Sequence, residues 1–190
     1  MKANDFFDEG KRLFVAGKLQ ESADAFTKAA EFGYDHKISY LSRGAAYMKL
    51  RQADRAIEDF GRVLSLDGKS VRAYYYRGMA YAQKKDYVNA VNDFSSAISL
   101  KPDDGASIFA RGAAYLEMGK TAEAAEDIRN ATNYLETYVQ GYADTIGDRT
   151  HLHKVLAVLE GERRADRLDL SESEFEAIKA MLSESVRKAA

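Results

Sequence analysis

The residues in this chain best suited to chemistry are three arginines. Arg43, Arg77 and Arg111 stand at one constant interval, each directly before a glycine. A guanidinium ladder of that regularity could hold phosphate groups. The same spacing also admits a structural reading. Asp59, Asp93 and Asp127 recur with the same period, each at one fixed offset after its arginine. The first stretch of the chain has Glu9 in the arginine's place and Ala25 in the aspartate's, so both partners are lost together. Joint loss predicts an ion pair within one segment. Pairing one period across, Asp59 with Arg77, would leave Arg43 facing Ala25 and Asp127 without a partner. If such a pair is partly buried, losing one member costs more than losing both.

No other constellation stands above background. His151 and His153 are two apart, which puts them on different faces of a helix, and no third ligand is near in sequence. They read as solvated, and His36 lies at a segment junction. The absence of cysteine excludes disulfides, thiolate metal sites and a cysteine nucleophile. Neither the Gly-x-Gly-x-x-Gly pattern nor a P-loop occurs. No serine, histidine and acid are placed as a triad. The expectation is a protein that is not an enzyme and uses no cofactor or metal.

The composition bounds the scaffold that positions these residues. Of 190 residues, 28 are basic and 30 acidic, a net charge of -2 that makes no electrostatic case for nucleic acid or an anionic membrane. An apolar fraction of 46% can build a core, while one proline and 13 glycines argue against a turn-rich β-sandwich and a disordered chain. No window approaches the roughly 18 uninterrupted apolar residues of a membrane span. Acidic residues interrupt the start of the chain, so no signal peptide is expected there. These features lead to the expectation of a soluble, cytoplasmic protein.

The chain repeats itself. Arg43-Gly44-Ala45-Ala46-Tyr47 returns as Arg77-Gly78-Met79-Ala80-Tyr81 and as Arg111-Gly112-Ala113-Ala114-Tyr115. Ala56-Ile57-Glu58-Asp59-Phe60 returns as Ala90-Val91-Asn92-Asp93-Phe94 and Ala124-Ala125-Glu126-Asp127-Ile128, at the same step. A weaker copy upstream carries Gly10, Phe26 and Ala29. Four repeats follow: about 3–36, 37–70, 71–104 and 105–138. Each reads as two helices; Val71, Tyr74, Tyr75, Gly78, Tyr81 and Ala82 fall at helical spacing, as do Tyr87, Ala90, Val91, Phe94, Ala97 and Ile98. The stretch Lys101–Gly105 is expected to break the chain between repeats. Helix pairs this short bury both faces only by stacking on neighbours.

The pattern resembles the tetratricopeptide repeat family. Its signature is matched in the third repeat by Tyr74, Gly78, Tyr81, Ala90, Phe94, Ala97 and Pro102, with Arg77 replacing the usual leucine. The second repeat has Tyr40, Gly44, Tyr47, Ala56 and Phe60, but Gly68 in the proline's place. The fourth keeps Gly112, Tyr115, Ala124 and Ala131, with Ile108, Ile128 and Glu136 elsewhere; the first has Leu13 for tyrosine and Ser22 for alanine. The resemblance implies an all-α, right-handed α-solenoid of helix-turn-helix units over 3–138, with a helical C-terminal extension or cap over 139–190.

It also implies a non-catalytic adaptor that binds a partner protein or peptide in a concave groove lined by the first helix of each repeat. Counted from the repeat glycine, that lining holds Phe7, Leu41, Tyr75 and Phe109 three residues before it, and Lys11, Ala45, Met79 and Ala113 one after. Tyr76 lies two before and Ile38 and Arg72 six before. Phe7, Leu41, Tyr75 and Phe109 are expected as exposed apolar anchors, with Arg72 and Lys11 setting orientation. The clamp that some co-chaperones use for acidic chaperone tails is missing: its places hold Phe7, Lys11, Ser42, Arg72 and Tyr76, of which Arg72 alone keeps a matching charge. Alternatives are a chaperone shielding an apolar segment of a client subunit, and a structural homo-oligomer.

The C-terminal part carries further expectations. The fourth repeat's second helix is read as running past Tyr138, and 151–159 as another helix. A last helix starts at the capping-box pair Ser171 and Glu174. It presents Phe175, Ile178, Leu182 and Val186 on one face, to cap the last repeat, fold into the groove or bind a partner or second copy.

Overall fold

The structure, a computed structural model, describes residues 2–131. The readings placed on 132–190, including the helices at 151–159 and after Ser171, lie outside the described residues. Eight helices are described: α1 Ala3–Val15, α2 Leu19–Glu31, α3 His36–Lys49, α4 Ala53–Leu66, α5 Val71–Gln83, α6 Tyr87–Leu100, α7 Gly105–Glu117 and α8 Thr121–Asn130. They are consecutive helix-turn-helix repeats, the all-α tetratricopeptide arrangement. The chain divides into two compact bodies, Met1–Pro102 with α1–α6 and a second from Asp103 with α7 and α8.

Local chemistry sets the helix ends. Asp35, Ser70, Asp86 and Asp104 each accept a backbone N–H from the first turn that follows, capping α3, α5, α6 and α7. The break expected over Lys101–Gly105 is found between α6 and α7. α6 ends at Leu100, whereas Gly105 opens α7 instead of closing α6. Each first helix stops in the same way. Residues 17, 51, 85 and 119 have positive φ: Gly17, Arg51 (61°), Lys85 (63°) and Gly119. The amide after each bonds back to a carbonyl five residues earlier, as from Lys18 to Leu13 and from Asp86 to Tyr81. The turn geometry thus returns in every repeat even where glycine does not.

Packing within a repeat rests on a glycine facing a ring. A Cβ added at Gly10, Gly44 or Gly78 would come within 2.6–2.7 Å of Phe26, Phe60 or Phe94 respectively. No side chain fits there, so the first helix approaches the ring directly. In the fourth repeat Ile128 replaces the ring, and the corresponding gap at Gly112 is 3.0 Å. Alanines at Ala23, Ala56, Ala90 and Ala97, all buried, keep the second helices close. Ser22 stands where the later repeats have alanine; its buried hydroxyl donates to the Gly10 carbonyl at 2.8 Å, satisfying the polar group.

The arginine ladder is structural. Arg43 donates to Asp59 at 2.7 and 2.6 Å, Arg77 to Asp93 at 2.7 and 2.8 Å, and Arg111 to Asp127 at 2.7 and 2.8 Å. Each is a two-pronged pair inside one repeat, with the aspartate buried. The phosphate reading fails because these forks are taken. Hydrogen bonding to the aspartate is the main cause that pushes each arginine pKa further up, so the guanidinium stays charged. Arg43 also donates to Thr27 of the previous repeat at 2.8 Å, tying α3 to α2. In the first repeat Glu9 accepts from Arg12 on its own helix instead.

Candidate partner-binding face

Within the first body, α2 packs on α3, α4 on α5, and α3 touches α5. The surface presented by α1, α3 and α5 is where sequence placed the groove, and the structure sorts its residues by burial. Ile38 is 45% exposed, and Lys11 and Arg72 are exposed. Leu41, Ala45, Tyr75 and Tyr76 are half-buried. Phe7 and Met79 are buried. In the second body Phe109 and Ala113 are buried as well.

Two expectations change. Phe7 and Phe109 are not exposed anchors. Phe7 stacks on Tyr34 at 4.2 Å and leans on Phe26 at 5.2 Å, so its ring belongs to the core of the first repeat. Met79 and Ala113 likewise offer no surface. Lys11 is not a free orienting charge: its ammonium pairs with Asp8 at 2.7 Å, one turn away on α1. That hydrogen bond, first among the causes, raises the lysine's pKa.

The remaining residues form a shallow aromatic and aliphatic floor. Tyr76 stacks on Phe60 of the preceding repeat at 5.7 Å and meets Tyr75 edge-on at 5.3 Å. Tyr75 in turn leans on Phe94 at 6.0 Å. Each tyrosine is held from behind by a buried phenylalanine and keeps part of its ring exposed. Sequence reasoning missed two members of this surface. Val15 is 87% exposed, and Lys49 is exposed with its ammonium 5.6 Å from the Phe14 ring. Both lie five residues after the repeat glycine. Extending the four-three-four helical step by one turn would have found them.

Away from this face, a depression at the turn between α3 and α4 is lined by Arg51, Gln52, Asp54, Arg55, Gln83 and Lys84. Its charges are largely matched: Lys84 pairs with Asp54, and Arg55 bonds Gln52 and covers the Tyr47 ring. Among the described residues no cluster of histidine, cysteine or acid could hold a metal, and no helix is long and apolar enough to cross a membrane.

Residues 41–105 match the tetratricopeptide repeat family. Solved structures share the fold over a longer span. The chain is similar to YrrB, described as a tetratricopeptide protein with an unusual peptide-binding site, at 21% identity over 69% of this chain and 68% of that one, with a TM-score of 0.62. It is similar to MamA from Desulfovibrio magneticus at 18% identity over 96% of each chain, with a TM-score of 0.68. It is also similar to the first tetratricopeptide domain of Spaghetti, solved bound to an HSP90 peptide, at 23% identity over 71% of this chain and 94% of that one, with a TM-score of 0.52. Residues 41–105 thus carry the tetratricopeptide match, and the solved structures show the same fold over a longer span, a fold that often mediates protein–protein interaction.

Proposed function

We propose that this protein is a non-catalytic adaptor whose α1, α3 and α5 face receives a segment of a partner protein. The observation that carries the reading is the aromatic and aliphatic floor. Ile38 stays 45% exposed, and Leu41, Tyr75 and Tyr76 are left half-open. The glycine–phenylalanine seam does not need those open surfaces, and a contiguous exposed apolar patch marks an interaction site. The peptide sites of YrrB and Spaghetti support the same reading by analogy of fold. The charged groups with repeated spacing form ion pairs within the repeats, which supports the non-catalytic reading.

The test is capture of partners from source lysate with the full chain and with the Ile38→Asp and Tyr75→Ala variants, read by mass spectrometry beside each variant's melting temperature. Ile38→Asp is expected to lose the captured partner while melting like the parent, because its side chain supports little of the core. Tyr75→Ala is expected to weaken capture with a small loss of melting temperature through its contact with Phe94. Undiminished capture by both folded variants would remove this face from the function.

A further inference from the structure

We propose that the α1, α3 and α5 face selects an extended partner segment that is acidic at both ends and apolar between, with Arg72 and Lys49 reading the two acids. This deepens, and rests on, the partner-binding reading above.

Residues six and two before the repeat glycine, and one and five after it, follow four-three-four steps and so share one side of a helix. At those places in α1, α3 and α5 the one acid is Asp8, and Lys11 already pairs with it at 2.7 Å. The two remaining cations are Arg72 and Lys49. Both are exposed, and neither has an acidic partner among the described residues. The face therefore carries an unmatched positive charge of about two, on a chain whose formal charge is -2. An acidic segment gains attraction there and displaces no existing ion pair.

The positions of the two cations set a length. Arg72 occupies the same register on α5 as Ile38 on α3, and Lys49 lies eleven residues beyond Ile38. At 1.5 Å per residue that is roughly 16 Å along the helix. α3 and α5 touch, and packed helices lie about 8–10 Å apart. Between the two backbone positions the diagonal is roughly 19 Å, which an extended chain covers in about six residues. Between the two charges lie Leu41, Ala45, Tyr75 and Tyr76, none of them charged and all half-buried. A segment whose acids are about six residues apart can place both while setting apolar side chains on the tyrosine rings.

The experiment is fluorescence anisotropy of the full chain with three labelled synthetic peptides. They share one apolar centre and carry glutamates, serines or lysines at ends six residues apart. The same peptides are titrated against the double variant Arg72→Glu with Lys49→Glu, whose folding is checked by circular dichroism. The parent is expected to bind the glutamate peptide about tenfold tighter than the lysine peptide, with the order reversed for the double variant and the difference shrinking at high salt. Equal binding of all three peptides would overturn the charge selection while leaving the apolar face as the site. A glutamate preference that persists in the double variant would show that other cations read the acids and overturn the assignment. Failure of all three to bind a folded parent would overturn this inference, while loss of lysate capture in Ile38→Asp would still uphold the partner-binding reading.

Discussion

In the seam between paired helices, each step to the next repeat reproduces one contact. Gly10 meets Phe26, Gly44 meets Phe60 and Gly78 meets Phe94, each with no room for a Cβ. On the exposed face of the same first helices, the same step changes the chemistry. Asn4 gives way to Ile38 and then Arg72; Asp8 to Ser42 and then Tyr76; Lys11 to Ala45 and then Met79. The seam is dense, so any change of volume is felt, and three repeats keep the same glycine–phenylalanine solution. The face meets solvent, so packing does not dictate its residues. Repetition therefore marks what holds the repeats together, and its absence marks the surface where a partner can be specified.

Substitutions can break or sharpen this contrast. The largest effect is expected at the seam. Phe94→Ala should cost about 3–5 kcal/mol in urea unfolding, since its ring is fully buried against Gly78. Asp93→Ala should cost about 2–4 kcal/mol by leaving Arg77 facing an empty, half-buried site. Adding Arg77→Leu should restore part of that loss, a signature of an uncompensated charge. If the double variant is less stable than Asp93→Ala alone, the penalty is not one of an orphaned charge.

A smaller effect of opposite sign is expected at a gap in the seam. Arg43 bonds Thr27 of the preceding repeat, but Arg77 has Gly61 at that register, and a Cβ there would sit 3.9 Å from its Nη1. Gly61→Ser should stabilise by about 1 kcal/mol, through helix propensity and a new hydrogen bond, read as a shift in the urea midpoint. The smallest change in stability belongs to the face. Ile38→Asp should move it by less than about 0.5 kcal/mol in the same measurement. A loss there as large as at Phe94 would erase the distinction between seam and face.

Much of the seam was legible without coordinates. The joint absence of the arginine and aspartate in the first repeat predicted pairing within repeats, and bidentate contacts are found at all three later positions. The face was legible only in part. Register placed Phe7 and Met79 on it, but register reports direction from the helix axis, not what stands opposite. Tyr34, in the connection after α2, covers Phe7, and no periodic pattern announces a loop residue. Sequence register shows the charge of Lys11 but not its pairing with Asp8, three residues earlier on the same helix.

The amino-acid sequence alone determined the helices, their pairing and the identity of the seam residues. Those follow from a local period and from contacts that every repeat must make again. Tertiary structure decided which face residues are open, which are covered and which charges remain unmatched. Those outcomes depend on neighbouring repeats and connecting turns, where a single stacked ring or nearby acid changes what a residue can offer a partner.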